Sequence, residues 1–136
     1  MTERVVVNVD GGARGNPGPA AVAAVLTTPA GELIEQLGKP IGRATNNVAE
    51  YRAMLLGIEL AKSVGAREVE LIGDSELIVK QVKGEYRVKD AGLQPLHAEV
   101  KAALGAFDRW SIRHVRREHN EAADRLVNET LDEAAG

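Results

Sequence analysis

The sequence predicts an α/β domain built on a mixed five-stranded sheet, three antiparallel strands followed by two parallel ones, with helices on both faces. Three observations lead there. Two apolar runs, Val5-Val6-Val7-Asn8-Val9 and Val69-Glu70-Leu71-Ile72-Gly73, each stop at an aspartate, and the first is nearly continuous in valine, as a central, doubly covered strand requires. Three strand-like segments follow one another before any helical pattern, which makes them an antiparallel meander. Each later strand is reached through helical sequence, which favours parallel crossovers.

The first strand runs from Arg4 to Asp10. Gly11 to Pro19, with four glycines and two prolines, reads as a tight irregular loop. Ala20 to Thr28, of small and β-branched residues, is the second strand, Pro29-Ala30-Gly31 a turn, and Glu32 to Ile41 the third strand. Asn47 to Val64 is the clearest helix, because Tyr51, Met54, Leu55, Ile58 and Ala61 recur at helical spacing. Thr45, Asn46 and Asn47 offer N-cap side chains, and Gly65 suits the position after the helix end. Glu68 to Gly73 is the fourth strand. Ser75 to Lys83 is a short helix with Leu77, Ile78 and Val82 inward, and Gly84 to Gly92 is polar loop. Leu93 to Phe107 is a helix with Pro95 in its first turn. Trp110 to Val115 alternates as the fifth strand, and Asn120 to Ala134 closes the chain with Ala123, Leu126, Val127, Thr130 and Leu131 facing in.

Residues 1–136 are expected to form one domain with a sizeable core. The absence of cysteine excludes disulfides, thiolate metal sites and cysteine nucleophiles, and fits a reducing, cytoplasmic setting. Met1-Thr2-Glu3-Arg4 leads into a strand without a signal-peptide pattern, and no apolar stretch reaches membrane-spanning length, so no membrane partner is expected. A net charge of −3 argues against a protein that grips nucleic acid by bulk positive charge, but not against a nuclease whose acids are offset by bound cations. Asp132-Glu133-Ala134-Ala135-Gly136 reads as a helix end. The expected assembly is a monomer or one domain of a larger protein with a further C-terminal domain.

Four acids occupy positions from which they can meet. Asp10 and Asp74 end strands one and four, Glu50 lies in the first turn of the long helix, and Asp124 lies near the start of the last. Sites in open α/β sheets form beyond the carboxyl ends of parallel strands. If strands one and four are neighbours, about 4.8 Å apart, two carboxylates there need a cation or a shared proton. Carboxylate oxygens are the ligands that a hard divalent cation such as Mg²⁺ prefers. Each acid also has a plain structural alternative. Asp10 can be an Asx-turn residue before Gly11-Gly12, Glu50 the far end of a capping box with Asn47, Asp74 the N-cap of the following helix, and Asp124 a solvated helix acid beside Arg125.

Four motifs give these acids a common context. Asp10-Gly11-Gly12-Ala13-Arg14-Gly15-Asn16-Pro17-Gly18-Pro19, Thr45-Asn46-Asn47-Val48-Ala49-Glu50, Gly73-Asp74-Ser75 and Asn120-Glu121-Ala122-Ala123-Asp124 occur in that order. Together they resemble the type 1 ribonuclease H family over nearly the whole length. The resemblance implies a ribonuclease H-like fold and an endonuclease that cleaves the RNA strand of RNA–DNA hybrids with two divalent metals, Mg²⁺ with Mn²⁺ as a substitute. It implies that Asp10, Glu50, Asp74 and Asp124 are the metal-binding catalytic acids. It also implies that Asn16, Asn46 and Asn47 contact the nucleic-acid backbone and ribose, where amides can read 2′-hydroxyls; turn formation and helix capping are their alternatives.

Arg14 and Arg117 are further substrate-contact candidates. His119, five residues before Asp124, is the candidate for assisting proton transfer, with Arg117 or Glu118 as rivals for that place. The chain departs from many family members in having no basic helical insertion; Lys80, Lys83, Arg87 and Lys89 surround only a short loop. His97 and His114 carry no motif and read as structural, Trp110 reads as core, and Tyr86 is a weak stacking candidate. Two other functions fit the same sequence: a nuclease of the same superfold acting on double-stranded RNA or DNA junctions, and a non-catalytic hybrid-binding module.

Overall fold

The sheet has the order β3-β2-β1-β4-β5 in a computed structural model that describes residues 3–136. Its strands are β1 (Arg4–Ala13), β2 (Gly18–Thr27), β3 (Leu33–Ala44), β4 (Glu68–Gly73) and β5 (Arg109–His114). The helices are α1 (Asn46–Ser63), α2 (Glu76–Lys83), α3 (Gln94–Leu104) and α4 (Glu121–Ala135), with a 3₁₀ turn at Arg117–His119. β1, β2 and β3 pair antiparallel, and β4 joins β1 and β5 in parallel register. This is the mixed sheet the sequence predicts, with strands one and four adjacent.

Alternation along the strands divides the core into two layers. Val5, Val7, Val9, Val22, Ala24 and Leu26 pack with the buried faces of α1, α2 and α3 in the larger cluster. Ala21 and Ala23 point to the opposite face and pack with Val127 and Leu131 of α4. A floor of alanines lets α4 lie low on the sheet. On the other face α1 lies just as close, because a Cβ at Gly57 would fall on the Cγ1 atoms of Val7 and Val9.

The structure revises several sequence expectations. The glycine-rich segment is mostly strand: β1 continues to Ala13 and β2 starts at Gly18, leaving a loop of residues 14–17. Gly11 is needed in the strand because the Ala49 carbonyl leaves no room for a Cβ, a constraint that glycine content alone cannot separate from a turn. The third helix ends at Leu104, three residues short of the predicted end. In α2 the buried residues are Ile78, Val79, Gln81 and Val82, whereas Leu77 is exposed. Ile78 and Val82 share one helix face, and Leu77, about 100° around the helix from Ile78, falls outside it. His97 is structural as expected: its Nε2 lies 3.0 Å from the Gln81 carbonyl, and its ring meets buried Tyr51 edge-on. Trp110 packs against the main core beneath the Lys101 ammonium. Tyr86 is exposed, with Lys80 Nζ donating to its hydroxyl at 3.4 Å. Among the described residues no helix is long and apolar enough to cross a membrane.

The tight seat of α1 on β1 sets a test. Gly57→Val should lower unfolding stability by about 1–3 kcal/mol, the usual cost of overpacking a core. Chemical denaturation checks it; an unchanged midpoint would show that the two elements can separate without strain.

Candidate active site

The site lies where β1 loses one of its two neighbours. The parallel ladder with β4 ends at Asn8↔Ile72, while pairing with β2 continues from Asp10↔Ala23 to Ala13↔Ala20. Asp10 therefore sits inside a strand, not at its end as the sequence suggested, but beyond the last residue paired with β4. Asp74 follows β4 directly, so both acids face the same opening.

Glu50 is brought to this opening by contact between backbones. A Cβ at Gly11 would fall inside the Ala49 carbonyl and against the Glu50 nitrogen, so only glycine lets the first turn of α1 approach β1 this closely. Thr45, not Asn47, caps α1, accepting from the Val48 amide at 3.2 Å. Glu50 is thus outside any capping box. Ser75, not Asp74, caps α2, accepting from the Ile78 amide at 3.4 Å. Asp124, in the first turn of α4, is half-buried and accepts from Arg117 Nη2 at 3.2 Å. The plain structural alternatives for Glu50, Asp74 and Asp124 therefore fail on geometry.

Asp10, Glu50, Asp74 and Asp124 line one cavity of about 500 Å³, together with Arg14, Asn46 and Arg117. Burial, then the charges of Asp74 and Asp124, a hydrogen bond with Asp124 and the charge of Glu50, push the Asp10 carboxyl from 3.8 up to about 8. Burial raises Glu50 from 4.5 to about 7; a hydrogen bond from Ser75 opposes the shift and the Asp74 charge adds to it.

The four acids ring the cavity and do not close on one point: among the described residues no three His, Asp or Glu side chains are gathered at metal-ligand spacing. Asp74 accepts from Asn120 and Asp124 from Arg117. An all-oxygen anionic donor set of this kind suits hard divalent ions.

The remaining candidates are distributed unevenly. Asn46 Oδ1 accepts from the Ala13 amide at 2.8 Å, and Asn16 Oδ1 accepts from the Asn46 amide at 3.0 Å. These bonds tie the 14–17 loop to the start of α1. The side-chain amide nitrogens of Asn16, Asn46 and Asn47 donate to nothing among the described residues. Arg14 is engaged with α4, donating to Asp132 at 2.7 Å and to the Asn128 carbonyl at 3.3 Å. His119 is exposed and does not line the cavity; its Nε2 lies 4.0 Å from Glu118. Of the three rivals for the assisting place, Arg117 is the one on the cavity wall. Asn120 went unrecognised as a site residue: an asparagine before a helix reads as a cap, yet it does not cap α4.

The chain matches a family model described as "Reverse transcriptase-like" over residues 8–130. It is 47% identical to a ribonuclease HI of Halobacterium salinarum, covering 96% of this chain and 66% of that protein. It is 42% identical to a bifunctional protein of Mycobacterium tuberculosis, covering 97% of this chain and 36% of that protein. The chain thus spans less than two thirds of the length of either relative. A crystal structure of RNase H1 from Halobacterium salinarum superposes with a TM-score of 0.94 at 46% identity, covering 96% of this chain and 98% of that one. LC11-RNase H1 in complex with an RNA/DNA hybrid superposes with a TM-score of 0.93 at 39% identity, covering 97% of this chain and 99% of that one.

The raised carboxyls fix the sign of a pH effect. Between pH 4 and about 8 the folded, metal-free chain holds more protons at Asp10 and Glu50 than the unfolded chain. The stability this gives is complete below their unfolded values and is lost as the pH rises through about 7 and 8. In EDTA the melting temperature of wild type should fall from pH 5 to pH 9 relative to Asp10→Asn. By pH 9 the variant should melt higher, at about 4 °C for each kcal/mol of relieved repulsion. Parallel melting profiles for the two proteins would contradict the crowding.

Proposed function

The chain belongs to the type 1 ribonuclease H family, and from that premise we propose that it is a metal-dependent endonuclease hydrolysing the RNA strand of RNA–DNA hybrids. The observation that carries the reading is the carboxylate ring, in which Asp10 and Glu50 hold their protons well above the usual carboxylate range. A binding module gains nothing from buried like charges, which cost stability unless compensated. The hybrid held by LC11-RNase H1, a relative of the same architecture, supports the substrate class.

In this reading Asp10, Glu50, Asp74 and Asp124 hold two divalent ions, Mg²⁺ or in its place Mn²⁺. When bound, such a pair supplies an activated water and a stabilised leaving oxygen. The chain's own residues do the rest. Asn46 lines the cavity at the start of α1, Asn47 follows it and Asn16 is tied to it from the 14–17 loop; their free amide donors suit ribose 2′-hydroxyls and backbone oxygens. Arg117, half in contact with Asp124, stands where a phosphate would meet the cavity wall. Arg14 lines the same wall but must share its guanidinium with Asp132. His119, exposed on the 3₁₀ turn, is free to carry a proton to or from solvent. Cleavage leaves 3′-hydroxyl and 5′-phosphate ends.

The deciding experiment is cleavage of labelled hybrid, duplex RNA and duplex DNA in Mg²⁺, Mn²⁺ and EDTA. Hybrid alone should be cut, and only with metal; preferential cutting of duplex RNA or of DNA junctions would replace this reading with another nuclease of the same fold. Asp10→Asn and Asp74→Asn should each reduce hybrid cleavage roughly a thousandfold or more, since several kcal/mol of charge stabilisation is lost. Wild-type turnover in either would remove these acids from the metal site.

The assisting role is tested separately. His119→Ala should slow turnover by about 10- to 100-fold, the range of lost proton-transfer help. A silent His119→Ala beside a crippled Arg117→Ala would transfer the role to the arginine.

A further inference from the structure

Asn120 occupies the N-cap of α4, yet its side chain makes no capping bond. It turns into the protein and is 2% exposed. Its Nδ2 donates to the Val9 carbonyl at 2.9 Å and to Asp74 Oδ2 at 3.0 Å, and its Oδ1 accepts from Asn8 Nδ2 at 3.0 Å. These partners leave one orientation for the amide. Exchanging its oxygen and nitrogen would set an acceptor against a carbonyl and a carboxylate, and a donor against Asn8 Nδ2.

Asn8 is the one polar residue in the run Val5–Val9, at the middle of the sheet. Strands in that position are ordinarily apolar, and a half-buried amide there needs a partner. Its side chain donates to Asn120 and makes no other hydrogen bond among the described residues. Strand alternation puts Asn8 on the same face as Asp10 and opposite Val7 and Val9, which face α1. The amide pair therefore joins β1, the residue after β4 and the start of α4, the three elements that carry Asp10, Asp74 and Asp124. The second Asp74 oxygen accepts no hydrogen bond among the described residues.

We infer that Asn8 and Asn120 are positioning residues: a two-amide relay that holds one oxygen of Asp74, turns the other to the cavity and keeps α4 in register with β1. The inference rests on the proposed reading of Asp74 as a metal-holding residue. It gives Asn8 a role that its place in a valine run conceals, and it explains why Asn120 forgoes the helix cap. Supporting hydrogen bonds of this kind set how tightly an ion is held, whereas a residue that only docks a helix affects folding alone.

The test compares Asn8→Val, Asn120→Ala and the double variant in the full chain. Mn²⁺ binding is followed by calorimetry, and hybrid cleavage is followed against Mg²⁺ concentration. Valine continues the β1 pattern, so Asn8→Val keeps the fold and decides the matter even if Asn120→Ala does not fold. Asn120→Ala should weaken Mn²⁺ binding and raise the Mg²⁺ requirement by about 10- to 100-fold, and Asn8→Val by roughly 3- to 10-fold, with KM for hybrid unchanged. The double variant should be no weaker than Asn120→Ala, because the two amides act in series. Wild-type Mn²⁺ affinity in Asn8→Val, or a change confined to KM or melting temperature, overturns the relay. A wild type that binds Mn²⁺ but leaves hybrid intact defeats the substrate reading, while the affinities still decide the relay. A wild type that binds no ion defeats both.

Discussion

Four carboxylates held around one cavity are the constraint on which the rest of this structure depends. Two unit charges about 5 Å apart repel by about 3 kcal/mol at an effective dielectric of about 20. Several such pairs rival the whole stability of a domain, about 5–15 kcal/mol. The chain does not let the acids relax into solvent. It holds them with backbone contacts and buried amides, and their burial, with the neighbouring carboxylates adding to it, emerges as raised proton affinity at Asp10 and Glu50. A surface cluster would have solved the same problem by swinging its side chains apart.

The rigidity comes from the sheet and from what small residues allow. β1 is paired on both sides up to Asn8 and on one side thereafter, so Asp10 stands on a supported strand beside an opening. Gly11 admits the backbone of α1 from one face, and Ala21 and Ala23 admit α4 from the other. Glu50 and Asp124 therefore reach the opening from opposite sides of the sheet, Glu50 from beyond the first turn of α1 and Asp124 from the first turn of α4. The dipole of α4 favours a carboxylate at Asp124 and offsets part of the crowding there.

The succession of strands and helices and the four acid-bearing motifs were legible in the sequence because both rest on local signals. Apolar runs, helical spacing and four short motifs need no knowledge of distant contacts. What was not legible depends on partners far along the chain. Asn120 looks like a cap, and only the arrival of Asn8, Val9 and Asp74 from 112, 111 and 46 residues away redirects its side chain. The need for glycine at Gly11 within a strand depends on Ala49 lying against it. Leu77 failed for a local reason: Leu77 and Ile78 are neighbours about 100° apart on a helix, and only Ile78 shares a face with Val82.

The same electrostatics links cation and substrate in the proposed function. A polyanionic hybrid approaching a chain of net charge −3, at its most acidic cavity, is repelled unless that cavity has been neutralised. Among the flanking cations Arg14 is tied to Asp132, Arg113 lies 3.8 Å from Glu70, and Lys80 is held by Glu76 at 2.8 Å. These pairs reduce the positive charge that can offset phosphates in a chain whose acids already outnumber its cations. Divalent ions in the carboxylate ring then serve substrate binding as well as chemistry, and by linkage the hybrid must raise the affinity for the ions by the same factor. A member of this family without a basic insertion has fewer ways to separate the two events, so its grip on hybrid follows the occupancy of its acids.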